Sequence, residues 1–353
     1  MAQTKLDQQL LAIIQDAFPL EERPYLVLAE QLGSDEQSVF AAVENLRQSG
    51  IIRRIGGVYD SKVLGFISRL CAGKVPTAMT GAADDSALEK FAAVVNVIPA
   101  ITHNYVRSHE YNVWFTVIAQ SEAEIQKIVE DVCSKTELHD VHVLLATKKF
   151  KINTVMGGSA APVIRKNNCV RSKPMAGADR ARIRIACEDI PHTLTPFKDW
   201  GISCEELRED LDLRRMRRFG AILRHQEAGF ADNAMVCFRL DERRETKDER
   251  SVILSYTKLR TSVLKLSYPL RGEQSESKDP AGAILASKSY ISHCYERPAF
   301  DGFPYTLYAM MHAQSAEELD RNIKEAAESI GNPDYVVLRS VRELKKTSFR
   351  FFA

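Results

Sequence analysis

Two copies of one pattern run through this 353-residue chain, and a duplicated unit must fold twice from the same instructions. Residues 102–107 read Thr-His-Asn-Tyr-Val-Arg and residues 292–297 read Ser-His-Cys-Tyr-Glu-Arg. Each is a hydroxyl residue followed by His-x-Tyr-x-Arg. Upstream, residues 53–66 (RRIGGVYDSKVLGF) and 217–230 (RRFGAILRHQEAGF) both open on an Arg-Arg pair and close on Gly-Phe at the same offset. Downstream, Ala-Gln-Ser occurs at 119–121 and again at 313–315. Each Ser is followed three residues on by Glu124 or Glu318, a capping-box pattern that starts a helix. The expectation is two copies of one unit, about 1–155 and 181–353. The Gly-, Ala-, Pro- and Lys/Arg-rich stretch 156–180 reads as a linker.

Within the first copy the apolar spacing predicts helices over 5–18, 24–32 and 36–49, with Gly33 and Gly50 as stops, then a strand over 51–59. Helix, helix, turn, helix and strand make a winged helix-turn-helix. Strand 66–75, helix 84–95, hairpin strands 98–106 and 111–119, helix 121–133 and strand 141–146 follow. That βαββαβ order is the ferredoxin-like plait, with two helices on one sheet face and the other face left for a ligand or partner subunit. The fold class is thus α+β: a tandem repeat of winged helix plus ferredoxin-like domain. Boundaries fall at 1–60, 61–155, 156–180 (linker), 181–226 and 227–353. The second winged helix is shortened (TPFKDWGISCEELREDLDLRRM). His293 follows Arg217 at a longer distance than His103 follows Arg53, which places an insertion at about 243–285.

Composition narrows the function. Apolar residues make up 45% and the formal net charge is +1, so the chain can bury real cores and carries no global attraction to nucleic acid or membrane. Its seven cysteines form no CxxC pair. That reads as a reducing cytoplasm rather than a disulfide frame or a zinc site. No apolar run approaches the length that spans a bilayer.

Alternate residues of a strand share a face, so His103, Tyr105 and Arg107 form one row and His293, Tyr295 and Arg297 another. A lone strand His is usually structural; an acid/base group, a phenol and a cation repeated twice point to two anion sites or two halves of one. The Arg-Arg pairs, Arg53/Arg54 and Arg217/Arg218, stand beside Gly56 and Gly220, where backbone can approach closely. Lys148, Lys149 and Lys151 in one copy, and Lys345 and Lys346 in the other, are expected just past the last strand. Cys294 reads as an ordinary buried thiol, since Asn104 takes its place in the first copy.

A winged helix joined to a ferredoxin-like domain resembles the Lrp/AsnC regulators. The segments 53–58, 217–225 (with His225), 228–230, 292–298 and 344–348 (Leu-Lys-Lys-Thr-Ser) are similar to the siroheme decarboxylases of the alternative heme and denitrification-heme pathways, in which two related subunits pair or are fused. The resemblance implies a fused form that removes carbon dioxide from the ring C and ring D acetates of siroheme to give didecarboxysiroheme. No redox partner or cofactor is needed, and the iron tetrapyrrole is itself the substrate. His103 and His293 would deliver protons, with Tyr105 and Tyr295 as second donors. Arg53, Arg54, Arg107, Arg217, Arg218, Arg297, His225, Lys148, Lys345 and Lys346 would hold the eight carboxylates. No protein metal site is implied, although His103 or His293 could instead ligate the substrate iron. The chain would be an internal pseudo-dimer that pairs again with a second copy.

Two other readings compete. A DNA-binding regulator needs a basic recognition helix, yet 36–49 holds only Arg47 as a cation and the shortened 204–216 (CEELREDLDLRRM) is strongly acidic at its start, which disfavours phosphate contact. A tetrapyrrole carrier shares every binding feature and lacks turnover. Matching signatures in unequal surroundings predict two pockets of unequal competence.

Overall fold

The computed structural model describes residues 4–76, 85–152, 176–224, 232–240, 264–267 and 280–352. The chain divides into two compact units, and each gathers like with like rather than following the sequence order. Met1–Gly65, Val155–Ala231 and Arg350–Ala353 form one unit; Phe66–Thr154 and Asp232–Phe349 form the other.

The first unit contains both winged helices. Helix α1 (Lys5–Ile14) starts at a reciprocal Thr4–Asp7 capping box, and α2 (Pro24–Leu32) stops at Gly33, whose φ of 62° favours glycine. Asp35 caps α3 (Glu36–Gln48), and β1 (Ile52–Tyr59) follows. The second copy supplies α6 (Gly177–Ala186), a five-residue α7 (Pro196–Trp200), α8 (Cys204–Asp212) and β7 (Met216–Leu223). Residues 177–180, expected at the end of the linker, are the first turn of α6, closed by Asp179 on the Ala176 N–H (2.9 Å).

Strands β1 and β7 pair antiparallel with Gly56 opposite Gly220. The repeated glycine is explained by what crosses it. A Cβ on Gly220 would lie 2.5 Å from the Ile14 carbonyl oxygen and 2.8 Å from that of Gln15, and one on Gly56 would strike the Glu188 carbonyl. The C-terminal end of α1 therefore rests on the β7 glycine and the chain just past α6 rests on the β1 glycine, an exchange between copies. Gly220→Ala is expected to lower the stability of this unit by about 1–3 kcal/mol, because the obstacle is backbone and cannot swing aside. Urea unfolding followed at Trp200 checks this; an unchanged midpoint would refute the close approach.

The second unit comprises β2 (Ile67–Gly73), α4 (Asp85–Asn96), β3 (Ile101–Arg107), β4 (Val113–Ala119), α5 (Glu122–Thr136), β5 (Val141–Leu144) and β6 (Lys148–Ile152). From the second copy come β8 (Asp232–Phe238), β9 (Leu264–Ser267), α9 (Pro280–Ser287), β10 (Ile291–Glu296), β11 (Leu307–Ala313), α10 (Ala316–Ser329) and β12 (Tyr335–Lys346). The serine half of each capping box predicted for α5 and α10 forms, from Glu124 N–H to Ser121 and from Glu318 N–H to Ser315 (3.2 Å each), while the two carboxylates accept from the N–H groups of Gln120 (3.0 Å) and Gln314 (2.8 Å) just before the caps. The strands run in the order β6-β10-β11-β8-β12-β3-β4-β2-β5-β9.

Two features depart from the sequence reading. The segment 280–285, expected within the insertion, belongs to α9, the counterpart of α4; most of 243–279 lies outside the described residues. The last strand of each copy also leaves its own half. Tyr335–Arg339 of β12 pair with β8, whereas Ser340–Lys346 pair with β3. In the same way β5 pairs with β2, and β6, which the sequence reading did not separate, pairs with β10. Each His-Tyr-Arg strand is thereby flanked by a lysine-bearing strand from the other copy. Helices cover one face over two cores, around Phe91, Phe115 and Val129 and around Phe238, Leu285 and Ile323. The remaining face carries a third core built from both copies, including Ala72, Trp114 and Leu144 with Met235, Tyr308 and Leu338. The face expected to await a ligand or partner subunit is in part filled by the other half of the chain.

Candidate active site

The two rows have nearly the same geometry. The rings of His103 and Tyr105 stack with centroids 6.4 Å apart and 25° between planes; those of His293 and Tyr295 lie 6.2 Å apart at 22°. Thr102 Oγ1 is 2.9 Å from His103 Nδ1, and Ser292 Oγ is 2.9 Å from His293 Nδ1. A hydroxyl that donates to Nδ1 leaves the neutral ring's proton on Nε2. The residues between row members point the other way. Asn104 is fully buried and meets Asn96 of α4, and Cys294 meets the Gly282 carbonyl of α9. Burial pushes the Cys294 thiol up to about 12, which suits an inert packed thiol and not a nucleophile.

Arg107 and Arg297 correct an expectation. They were placed on an accessible face as carboxylate clamps, yet they are only 5% and 9% exposed. Each guanidinium lies 5.1 Å from the centre of its row's Tyr ring. Arg107 Nη1 donates to the Leu338 carbonyl (3.1 Å) and Ser340 Oγ (3.0 Å), and Arg297 Nη1 donates to the Leu144 carbonyl (2.9 Å). Leu144 and Leu338 occupy corresponding positions at the crossing of the two last strands, so each arginine ties its row to the other copy. Burial lowers Arg107 to about 10 and also lowers Arg297. No ion pair among the described residues involves either one.

Strand register sorts the lysines. Paired residues of neighbouring strands share a face. Lys346 lies opposite His103 and Glu343 opposite Tyr105, with 3.7 Å between the Lys346 and Glu343 charges. In the other row Ile152 lies opposite His293 and Lys149 opposite Tyr295. Lys345 instead donates to the Ile98 carbonyl (2.8 Å), Lys151 to the Lys288 carbonyl (2.6 Å), and Lys148 sits 4.7 Å from the Phe150 ring centre. Burial lowers both Lys345 and Lys151. Of the expected carboxylate binders, Lys346 is thus beside a row, while Lys148 and Lys345 are on the helix-covered side. Register irregularities between 149 and 151 and between 343 and 345 defeat simple alternation and conceal Lys149 and Glu343.

The Arg-Arg pairs belong to the winged-helix unit. Arg218 donates to the Gln15 carbonyl at the end of α1 and to the Ala221 carbonyl (3.3 Å), and Arg54 donates to the Gly57 carbonyl (3.3 Å). Burial lowers Arg54, and it lowers Arg218 to about 10. A cation at a helix C-terminus offsets its dipole, so Arg218 steadies the end of α1, and Arg54 is engaged within the β1 ribbon. Arg53 is half-buried and Arg217 exposed. His225 lies outside the described residues. His142 is 1% exposed and approaches Tyr111 Oη (3.2 Å) and Asp140 (2.9 Å). No cluster of metal-ligating side chains occurs among the described residues, and none of their helices is long and apolar enough to cross a membrane.

Comparison with known proteins gives consistent matches. Residues 7–53 match the siroheme decarboxylase NirDL-like helix-turn-helix domain, and residues 64–151 and 273–345 match the AsnC-like ligand binding domain. The chain is 29% identical over 363 aligned residues to the siroheme decarboxylase of Hydrogenobacter thermophilus, across 98% of this chain and 94% of that protein. It is 46% identical over 147 residues to the siroheme decarboxylase alpha subunit of Desulfovibrio desulfuricans, across 42% of this chain and 80% of that protein. The crystal structure of the siroheme decarboxylase NirDL in co-complex with an iron-uroporphyrin III analogue superposes with a TM-score of 0.62 at 25% identity, covering 99% of this chain and 95% of that one.

Proposed function

We propose, since the chain belongs to the siroheme decarboxylase family, that it removes carbon dioxide from the ring C and ring D acetates of siroheme, yielding didecarboxysiroheme without net oxidation. The observation that carries the reading is the duplicated row in which a hydroxyl fixes His Nδ1 beside a Tyr held by a buried Arg. When an acetate carboxylate leaves, the bonding pair stays on the CH2 carbon, where the conjugated macrocycle can delocalise it. That carbon then takes a proton to become methyl. His103 or His293, with its proton on Nε2, is the donor, and Tyr105 or Tyr295 is the second.

Binding has to serve that step and not oppose it. A cation gripping the scissile carboxylate would stabilise the ground state and slow its loss. Arg107 and Arg297, engaged with backbone carbonyls beneath the Tyr rings, orient the row and leave the leaving group alone. The peripheral carboxylates fall to more accessible cations, Lys346 by one row and Lys149 by the other.

Anaerobic incubation of the purified chain with siroheme, followed by mass, tests the proposal. Two successive losses of carbon dioxide are expected. Binding with unchanged mass would identify a carrier. Failure to bind siroheme, together with a shift of promoter DNA, would identify a regulator and overturn the reading.

A further inference from the structure

The two rows differ in what stands behind the hydroxyl. On β11 the His312 N–H donates to the Tyr290 carbonyl (3.0 Å), as the Ile118 N–H on β4 donates to the Ala100 carbonyl (2.9 Å). Positions 312 and 118 are therefore equivalent, one imidazole and the other a hydrocarbon. His312 Nε2 is 2.9 Å from Ser292 Oγ, the same oxygen that is 2.9 Å from His293 Nδ1. His312 is 7% exposed and Ser292 5%. A serine hydroxyl has one proton and accepts through its lone pairs, and the Met310 carbonyl, at 3.4 Å, is the poorer acceptor for it. The order that gives Ser292 one donor and one acceptor and leaves a proton on His293 Nε2 runs from His312 Nε2–H to Ser292 Oγ, and from Ser292 Oγ–H to His293 Nδ1. In the first row Thr102 holds His103 at the same distance, but Ile118 has no proton to pass on.

We propose that His312 is a positioning and proton-supplying residue of the second row, acting on the substrate only through Ser292 and His293. The inference rests on the siroheme decarboxylase reading above. The step balances. Cleavage of the carbon–carbon bond leaves its pair on the CH2 carbon, and the His293 Nε2 proton moves to that carbon while the N–H pair stays on nitrogen. The Ser292 proton moves to His293 Nδ1 and the His312 Nε2 proton moves to Ser292 while His312 Nδ1 takes one from solvent water, so no ring is left as an imidazolate. One proton is consumed for each carbon dioxide released, as conversion of a carboxylate to a C–H bond requires. Because the chain of groups is present in one row only, the two decarboxylations should draw on proton supplies of different efficiency.

The test uses the full chain, siroheme under anaerobic conditions, and rates for each loss of carbon dioxide. His312→Ile, which installs the first row's residue, is expected to slow one of the two losses by about 10- to 100-fold. KM for siroheme should stay within about two-fold, and the singly decarboxylated product should accumulate. His312→Gln can still donate to Ser292 but cannot relay, so it should keep the fold and show the same loss. Ser292→Thr should retain turnover and Ser292→Ala should not. Nitrogen-15 NMR of the unliganded chain should show His293 protonated on Nε2, with that preference weakened in Ser292→Ala. Wild-type rates for both losses in His312→Ile and His312→Gln would overturn the relay while leaving the functional reading intact. An unsubstituted chain that releases no carbon dioxide would overturn the reading and the relay together.

Discussion

His293→Ala and His103→Ala are each expected to lower release of carbon dioxide from siroheme by about 10²–10⁴-fold, the usual contribution of a positioned general acid. That corresponds to roughly 3–5 kcal/mol of transition-state stabilisation. Affinity for siroheme should change by only a few-fold, because the substrate's charge is held by other groups and the histidine acts when the carbanion forms. The losses need not be equal. Each variant should block one acetate more than the other, so the mass of the stalled product reports which row serves which step. The double variant should accumulate bound, unreacted siroheme. His139→Ala, at an exposed position, is the control and should behave as wild type. Unaltered rates in both single variants would remove the rows from the chemistry and return them to a structural role.

The rows were legible because their information is local. His-x-Tyr-x-Arg alternates on a strand, and a second copy at a matching place made chance a poor explanation. The helix starts at Ser121 and Ser315 and the stop at Gly33 were legible for the same reason, since caps and left-handed turns depend on adjacent residues. What depended on the other copy was hidden. Arg107 and Arg297 look like surface clamps until the crossing strands bring Leu338 and Leu144 over them. Gly56 and Gly220 suggest room for a ligand, but the room is taken by the chain at the ends of α6 and α1. Lys149 could not be told from Lys148 because one irregular pairing reverses which residue shares a face with Tyr295.

The unlike sides of the rows suggest a division of labour. Lys346 and Glu343 flank the first row, whereas Ile152 and Lys149 flank the second. An apolar residue opposite His293 keeps a cation away from the place where a carboxylate would have to leave. Lys346 opposite His103 places a cation beside that row, so the two rows should release carbon dioxide at unequal rates. Under the proposed reading, the second row would combine a proton relay with a setting that does not stabilise the ground state.

Asp210→Asn should be the most damaging single substitution for folding of the winged-helix unit. Read as sequence, Asp210 is one acid in an acidic helix, a reason to doubt DNA binding. In the structure it is 0% exposed. It accepts from Arg182 (2.8 Å), Arg215 (3.4 Å) and Tyr59 Oη (2.9 Å), and so joins α6, α8 and the strand of the first copy's wing. Arg182 and Arg215 are themselves 10% and 5% exposed at the side chain; the other acid both reach is the partly exposed Asp179, and Glu206 lies 3.9 Å from Arg182. Neutralising Asp210 would remove the one fully buried carboxylate of the group and leave two largely buried guanidinium groups to share the partly exposed Asp179. Removal of one partner from a buried ionic network costs about 3–5 kcal/mol, because the cost is the desolvated charge left behind and not the lost attraction alone. Lys135→Ala, which removes an exposed partner of Asp131, should leave stability unchanged by comparison. The two tryptophans separate the outcomes: Trp200 lies in the winged-helix unit and Trp114 in the sheet unit. In urea, Asp210→Asn should move the Trp200 transition to lower denaturant well before it disturbs Trp114. Equal shifts at both would show that the two units unfold as one, and no shift at either would show that the buried network does not hold the copies together.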